Sequence, residues 1–327
     1  MRSQIRWTIA GVAVGAAFMW LSLRGTDTDA VLATLAEARP APVLAVLAAA
    51  LLFMLAKALR WKVILRPAGR PSLNSLHSAI YIGTAANLVI AHSGELLRAA
   101  LVGRKEGIAP SAVLASVGIE RVFDFITVAA LLGVVLAFDQ RLHESAAAAG
   151  FIAIAAVGIG LALMMILMKP SWLRSALSDL LARVLPPVVM NFISDQLRRS
   201  LVGLAVLGSP WLLLQVFLLS LLQWSFIIAA VWFCADAVGQ SITIPMAITI
   251  WVLMVVGLTL PSSPAQLGTT QLAFMLGLTL TQTGSQAAFA ASIIYTLGVN
   301  VTYMILGLGC WLLFGKWHLQ RVPSASA

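Results

Sequence analysis

Two short stretches place charged side chains inside apolar sequence. The first, SGELLRA, carries Glu95 and Arg98, and the second, ASVGIERVFDF, carries Glu120, Arg121 and Asp124. Each charge inside a membrane span costs about 2.5–3.5 kcal/mol, so these side chains are expected to face protein or water rather than lipid. Such residues are suited to binding and passing a charged group that lipid cannot accommodate.

The spacing of these charges predicts ion pairs. Glu95 and Arg98 are three residues apart and can pair on one face of a helix. Glu120 and Asp124 are four residues apart and repel each other unless a cation lies between them. Arg121 or Arg98 could be that cation. The alternative to a substrate path is a buried ion network that only holds the helices together.

The stretch LPSSPAQLGTTQ is a second polar interruption of an apolar segment. Two prolines lack backbone donors and a glycine permits a turn, so this stretch is expected to interrupt a helix. The helix that follows would offer its N-terminal amides to an anion such as phosphate. The alternative is a Pro-Ser loop at the end of an ordinary span. The candidate substrate-binding residues are His92, Gly94, Glu95, Arg98, Glu120, Arg121, Asp124, Ser262, Ser263, Gln266, Gly268, Thr270 and Gln271.

The composition is typical of a membrane protein with several spans. Of the 327 residues 61% are hydrophobic and 10% are charged, whereas roughly a quarter of a soluble domain is charged. The net charge of +9 fits the positive bias of cytoplasmic loops better than a nucleic-acid partner. We therefore expect one all-α transmembrane domain over residues 1–327 in the cytoplasmic membrane.

Apolar segments predict about seven to eight spans or half-spans. They lie near residues 5–23, 43–59, 76–91, 112–138, 150–168, 211–235, 244–260, 267–282 and 288–314, and the segment at 76–91 is the weakest. Basic residues at both ends of the chain place both termini in the cytoplasm. The loop at 170–210 has leucines at helical spacing, so we expect it to lie on the inner membrane surface as amphipathic helices.

Two basic clusters predict a re-entrant hairpin between them. Their members are Lys57, Arg60, Lys62, Arg66 and Arg70 in the first and Arg98, Arg104 and Lys105 in the second. Both clusters favour the cytoplasmic side, and a complete crossing between them would put one outside. Residues 76–97 are therefore expected to dip into the membrane and return. The break must be buried in protein or line a watery cavity.

A weak internal repeat relates the two interrupted units. The matches are Gly94, Ala99 and Gly103 with Gly268, Ala273 and Gly277 and, after a small insertion, Ala115-Ser116 with Ala291-Ser292. The first unit is expected to enter from the cytoplasm and the second from outside. Opposed units with interrupted helices are typical of transporters that bind substrate where the breaks meet. Chance similarity is the alternative in a chain with 24 glycines.

The order of these motifs resembles the family of the lysylphosphatidylglycerol synthase transmembrane region, also called the flippase-like domain. The order is KALRWKVILRP, then SGELLRA, then ASVGIERVFDF and then LPSSPAQLGTTQLAF, and it covers nearly the whole chain. The family's most specific motifs match Gly94, Glu95, Arg98, Glu120, Arg121 and Asp124. The resemblance implies a role in moving lipid.

Two departures from the family pattern concern the breaks. Where the family usually has a proline before the first break, this sequence has Ala91-His92. Where the second break usually carries a Gly-rich turn and a glutamate, it has Ser262-Ser263 and Gln271. The bound headgroup is therefore expected to differ from the one that other family members bind. The soluble aminoacyl-transfer domain fused in some members is absent, so we do not expect lysyl transfer to lipid.

Three functions compete. The leading hypothesis is a flippase that moves an anionic phospholipid or polyprenyl-linked lipid between leaflets. A membrane glycosyltransferase is the first rival, with Asp27 and Asp29 at a metal-sugar site. The second rival is a non-catalytic subunit that binds a lipid- or glycan-synthesis enzyme through residues 171–200, and the chain could also form a homo-oligomer. Because the sequence has no catalytic motif and no phosphate-cradling nucleotide loop, we expect neither an enzyme nor a cofactor.

Overall fold

The structure, a computed structural model, describes residues 2–90, 93–138, 202–257, 264–279 and 284–319. The predictions for His92, Ser262 and Ser263, for the span at 150–168 and for most of the surface helices at 170–210 fall outside these residues. All regular structure in the described ranges is helical. This confirms the prediction of an all-α membrane protein.

The helices follow the predicted apolar segments closely. The first group is α1 at Arg2–Leu23, α2 at Thr28–Ala36, α3 at Pro40–Leu65, α4 at Leu73–Val89, α5 at Ser93–Glu106 and α6 at Pro110–Phe138. The second group is a 3-10 helix at Ala205–Gly208, α7 at Pro210–Ala237, α8 at Ile244–Gly257, a 3-10 helix at Pro264–Gln266, α9 at Thr269–Thr279, α10 at Ser285–Tyr295, a π-helical segment at Thr296–Val301 and α11 at Thr302–Leu319.

Three of these helical stretches are long and apolar enough to cross a membrane: Pro40–Leu65, Pro210–Ala237 and Ser285–Leu313. Local sequence explains where the helices begin. Pro40 opens α3 and Pro210 opens α7, at positions where a missing N–H costs nothing. The Ser209 hydroxyl accepts a hydrogen bond from the Leu212 amide and so caps α7.

Helices α3 and α7 pack against each other as an antiparallel pair. Arg39, just before α3, forms an ion pair of 2.6 Å with Asp236 near the end of α7. Toward the other end of α3, Arg60 donates a hydrogen bond of 3.0 Å to Ser220 in the first half of α7. Because α3 precedes the first interrupted unit and α7 precedes the second, the two units run in opposite directions. An inverted repeat requires this arrangement.

Helices α4 and α5 form a hairpin around the first break. The Ser72 hydroxyl at the start of α4 donates a hydrogen bond of 2.9 Å to Glu106 at the end of α5. The helices have 17 and 14 residues, so at 1.5 Å per residue they are about 26 and 21 Å long. Both are shorter than the roughly 30 Å of bilayer hydrocarbon. This geometry agrees with the predicted re-entrant hairpin.

The matched residues of the repeat occupy equivalent places. Gly94 begins the packed part of α5 and Gly268 directly precedes α9, and each glycine amide donates a 2.7 Å hydrogen bond to a side-chain amide oxygen. Ser116 lies in α6 and Ser292 in α10, and each hydroxyl donates to the carbonyl three residues earlier at 2.6 Å. The structure thus places the aligned residues at matching points of two similar units.

The hairpin predicts that positions 70 and 105 are on the same side of the membrane. We expect Arg70→Cys and Lys105→Cys, each made in a background without Cys234 and Cys310, to react with an impermeant maleimide from one side only and from the same side. The measurement is labelling of right-side-out and inverted vesicles. Labelling of the two positions from opposite sides would show that the segment between them crosses the bilayer.

Candidate functional site

Arg60 is the centre of a buried ion network. Its side chain lies on α3, is fully buried and contacts two carboxylates of α6. Its Nη2 donates to Glu120 Oε1 at 2.9 Å, and its Nη1 donates to Asp124 Oδ1 at 2.7 Å. The guanidinium therefore cancels the repulsion between two carboxylates one helical turn apart. It also fixes α3 against α6.

Arg98 of α5 joins the network from the opposite side of Glu120. Its Nη2 donates a 2.5 Å hydrogen bond to Glu120 Oε2. The guanidinium carbon also lies 4.8 Å from the centre of the Trp61 ring, a distance at which the ring face attracts a cation. The Trp61 indole in turn donates to the Ser116 hydroxyl at 2.9 Å. Both oxygens of Glu120 therefore accept from arginine.

Arg121 and Glu95 form the outer part of the network. Their ion pair links α6 to α5, and Arg121 Nη1 lies 3.9 Å from Asp124 Oδ2. The Arg121 side chain is 52% exposed, whereas that of Glu95 is 15% exposed. Arg121 lies well inside a 29-residue helix, and its side chain is the one that protein encloses least among the charges of the network.

The second break has an unusual backbone. Ala265 and Gln266 have φ values of 56° and 59°, in the left-handed region that residues with a Cβ adopt only at a cost, and Gly268 has φ 85°. The break is tied to the π-helical segment, because Asn300 Nδ2 donates to the Ala265 carbonyl at 2.9 Å. π-Helical turns are frequent at functional sites.

The Gln271 side chain links the second break to the π-helical segment. Its Oε1 accepts from the Gly268 amide at 2.7 Å, and its Nε2 donates to the Thr296 hydroxyl at 3.1 Å. The Gly268 amide, which directly precedes α9, therefore already has a hydrogen-bond partner. The hydroxyls of Thr269 and Thr270 are buried and have no hydrogen-bond partner among the described residues.

A cavity of about 150 Å³ is bordered by both regions. Lys57 lines it and lies 3.9 Å from Glu120, so it belongs to the ion network as well. Gln266 lines it from the second break. Trp224 is part of its wall and donates a 3.2 Å hydrogen bond to Asp124, which couples the wall to the network.

A family model described as the lysylphosphatidylglycerol synthase TM region matches residues 8–307, which is nearly the whole chain. The chain belongs to this family. The Haloferax volcanii protein called glycosyltransferase AglD is 35% identical over 133 residues, which make up 39% of this chain and 21% of that relative. The match thus spans about a fifth of the relative's length.

In this member of the lysylphosphatidylglycerol synthase TM family, the five charges predicted from sequence do come together. Their pairing differs from the expectation, because Glu95 and Arg98 each form ion pairs across to α6 instead of with each other. The cation between Glu120 and Asp124 is Arg60 of α3. Of these two carboxylates, Arg98 contacts only Glu120 and Arg121 contacts only Asp124. Their roles in binding substrate stay predictions.

Lys57 and Arg60 also belong to this ion network, although the sequence patterns did not predict it. They were assigned to the basic cluster that follows the span at 43–59, whereas α3 continues to Leu65 and holds both within the helix. Of the predicted second-break residues, Gln266 lines the cavity, while Gly268, Thr270 and Gln271 are buried beside it in the break and the start of α9. None of the five predicted charged residues lines the cavity.

Proposed function

We propose that the chain is a lipid transporter of the cytoplasmic membrane, with both termini in the cytoplasm, that moves an anionic phospholipid or polyprenyl-linked lipid between leaflets. The observation that carries the proposal is the buried ion network next to a cavity that also borders the second break. The tails would remain in lipid while the headgroup passes the charges. Inverted units with opposed breaks support such a path.

The network is suited to exchanging its partners with a headgroup. Arg121 is half-exposed and Arg98 is buried, and both form ion pairs with carboxylates that an anionic headgroup could replace. An arginine can bind a phosphate with two parallel hydrogen bonds, as it binds a carboxylate. The headgroup would therefore meet Arg121 first and Arg98 next, without either charge facing bare hydrocarbon.

The proposal predicts that Arg98→Ala and Arg121→Ala proteins move lipid at most about one-tenth as fast as the wild type, because each loses a charge-assisted contact to the headgroup. The measurement is leaflet accessibility of a labelled anionic phospholipid in proteoliposomes. Arg104→Ala is the matched control, since Arg104 is exposed at the far end of the same helix as Arg98. Normal transport by folded Arg98→Ala and Arg121→Ala proteins would refute the proposal.

A role in glycan synthesis is the second candidate, because the Haloferax volcanii relative is called a glycosyltransferase. The Asp27 carboxylate accepts a 3.0 Å hydrogen bond from the Asp29 amide and caps α2, which gives it a structural role. The chain could serve as an enzyme of this type or as a membrane subunit that binds one through residues 171–200. Sugar transfer by the purified chain, or copurification of a synthase with it, would favour this candidate over autonomous transport.

A further inference from the structure

The ion network carries more positive than negative charge. Among the described residues, its cations are Lys57, Arg60, Arg98 and Arg121, and its carboxylates are Glu95, Glu120 and Asp124. With all seven groups ionised, one cation is not balanced. An unbalanced charge inside a membrane protein is costly, so a bound anion would stabilise this arrangement.

Lys57 is the least compensated of the four cations. Its only described carboxylate within 4 Å is Glu120, at 3.9 Å, which is beyond hydrogen-bond distance. Both oxygens of that carboxylate already accept hydrogen bonds, from Arg60 at 2.9 Å and from Arg98 at 2.5 Å. The ammonium group therefore has donors to offer to another acceptor.

The cavity next to Lys57 has the chemistry of an anion site. Lys57 is the only charged residue among the described residues that line it, so the described wall contains a cation and no carboxylate. Trp251 also lines the cavity, and its indole N–H is buried without a hydrogen-bond partner among the described residues. A buried donor without a partner costs free energy that a ligand acceptor would recover. Gln266 adds an amide from the second break.

The size of the cavity limits what it can hold. Its volume is about 150 Å³, and an apolar protein cavity of about 150 Å³ holds a benzene molecule. A phosphate group with a few attached atoms fits this space, whereas an oligosaccharide does not. The apolar part of the wall, which includes Phe53, Met54 and Trp224, suits the start of a glycerol or isoprenyl unit.

We propose that this cavity binds the phosphate of a net-anionic membrane lipid through Lys57, with the Trp251 indole as a second donor. The inference rests on the proposed function and narrows its substrate to lipids with a small phosphate headgroup. A zwitterionic lipid brings its own cation and leaves the surplus charge unbalanced, so it binds more weakly. A bulky glycosylated headgroup is larger than the cavity of about 150 Å³ and could not be enclosed by it.

Equilibrium binding to the full-length protein in detergent tests this assignment. The probes are dioctanoyl-phosphatidylglycerol, dioctanoyl-phosphatidylcholine and inorganic phosphate, measured by native mass spectrometry. We expect the wild type to bind phosphatidylglycerol at least about tenfold more tightly than either other probe, since only this probe combines an unbalanced anion with an acyl anchor. Equal binding of inorganic phosphate would show that the cavity is a site for a free anion and would overturn the lipid assignment.

The Lys57→Met variant is expected to lose about tenfold or more of its affinity for phosphatidylglycerol. Lys57→Arg should keep this affinity because it keeps the charge. Lys62→Met is the matched control, since Lys62 is exposed on the same helix and should bind as the wild type does. Circular dichroism and melting temperature show that each variant is folded. If Lys57→Arg loses as much affinity as Lys57→Met, the loss is one of packing and the assignment is wrong.

Transport is measured separately so that the two proposals can fail independently. If wild-type affinity persists in Lys57→Met while transport still depends on Arg98, the cavity assignment fails and the transporter proposal stands. If the wild type moves no lipid but Lys57 governs phosphatidylglycerol binding, the site is a lipid-binding site without transport. In that case the proposed function fails and the assignment holds.

Discussion

The Arg60→Ala variant is expected to be the least stable of the single substitutions in the ion network. Arg60 is fully buried and contacts Glu120, Asp124 and Ser220, so its removal leaves two neighbouring carboxylates without their shared cation. Breaking a buried ion pair by deleting one partner costs about 3–5 kcal/mol of the free energy of unfolding. The measurement is thermal melting of the purified protein, together with the yield of monodisperse protein.

Two comparisons separate this electrostatic effect from a general loss of packing. Lys62→Ala, an exposed change two residues further along α3, should melt as the wild type does. The double variant Arg60→Met, Asp124→Asn should recover part of the stability, because it removes the Asp124 charge together with its nearest cation and leaves Glu120 paired with Arg98. A double variant no more stable than Arg60→Ala would contradict the role of Arg60 as the cation that balances Asp124.

Arg60 also shows where sequence reasoning fails for this molecule. Hydropathy treats each residue as if it faced lipid alone, so the charges at Arg60 and Lys62 ended the predicted span at residue 59. In the structure α3 continues to Leu65, because pairing with α6 removes the cost of burying Arg60. The pairing partner lies 60 residues away in sequence. No local pattern reveals it.

The other five charges of the network could be found from sequence because Glu120, Arg121 and Asp124 interrupt a long apolar run, and Glu95 and Arg98 directly follow another apolar segment. Their partners could not, since spacing along one helix predicts pairs within that helix, whereas Glu95 and Arg98 contact α6. Among the described residues, the position and order of the apolar helices followed from hydropathy, whereas α2 and α5 lie outside the predicted apolar segments. Those features depend on the sum over many residues, and a pair depends on one tertiary contact.

The second break shows the same division between local and tertiary information. The prolines and Gly268 correctly predict an interruption, and Gly268 has the positive φ that glycine tolerates. The left-handed conformation of Ala265 and Gln266 does not follow from their residue types. It accompanies a hydrogen bond from Asn300, which lies 35 residues further along the chain from its acceptor Ala265. Only the folded structure brings these groups together.

The Gly94→Ala variant is expected to separate the two helices of the first hairpin and to abolish lipid movement. A Cβ at Gly94 would collide with the backbone carbonyl oxygen of Gly83 on α4, and backbone cannot move aside as a side chain can. Overpacking of this kind costs about 1–3 kcal/mol, and more where the neighbour is rigid. Arg98 lies one turn further along α5, so the same shift would pull it from Glu120.

The control for Gly94→Ala is Gly118→Ala in α6, where an added Cβ would meet no atom within 4 Å. Because alanine is a better helix former than glycine, this control should melt at or above the wild-type temperature, with a gain of up to about 1 kcal/mol. Thermal melting and the proteoliposome assay are run on both variants. Equal melting temperatures and equal transport would show that the close approach of α4 and α5 at Gly83 does not hold Arg98 in place. If only Gly94→Ala loses stability and transport, the packing of the hairpin holds Arg98, the charge that the headgroup must pass, in its position.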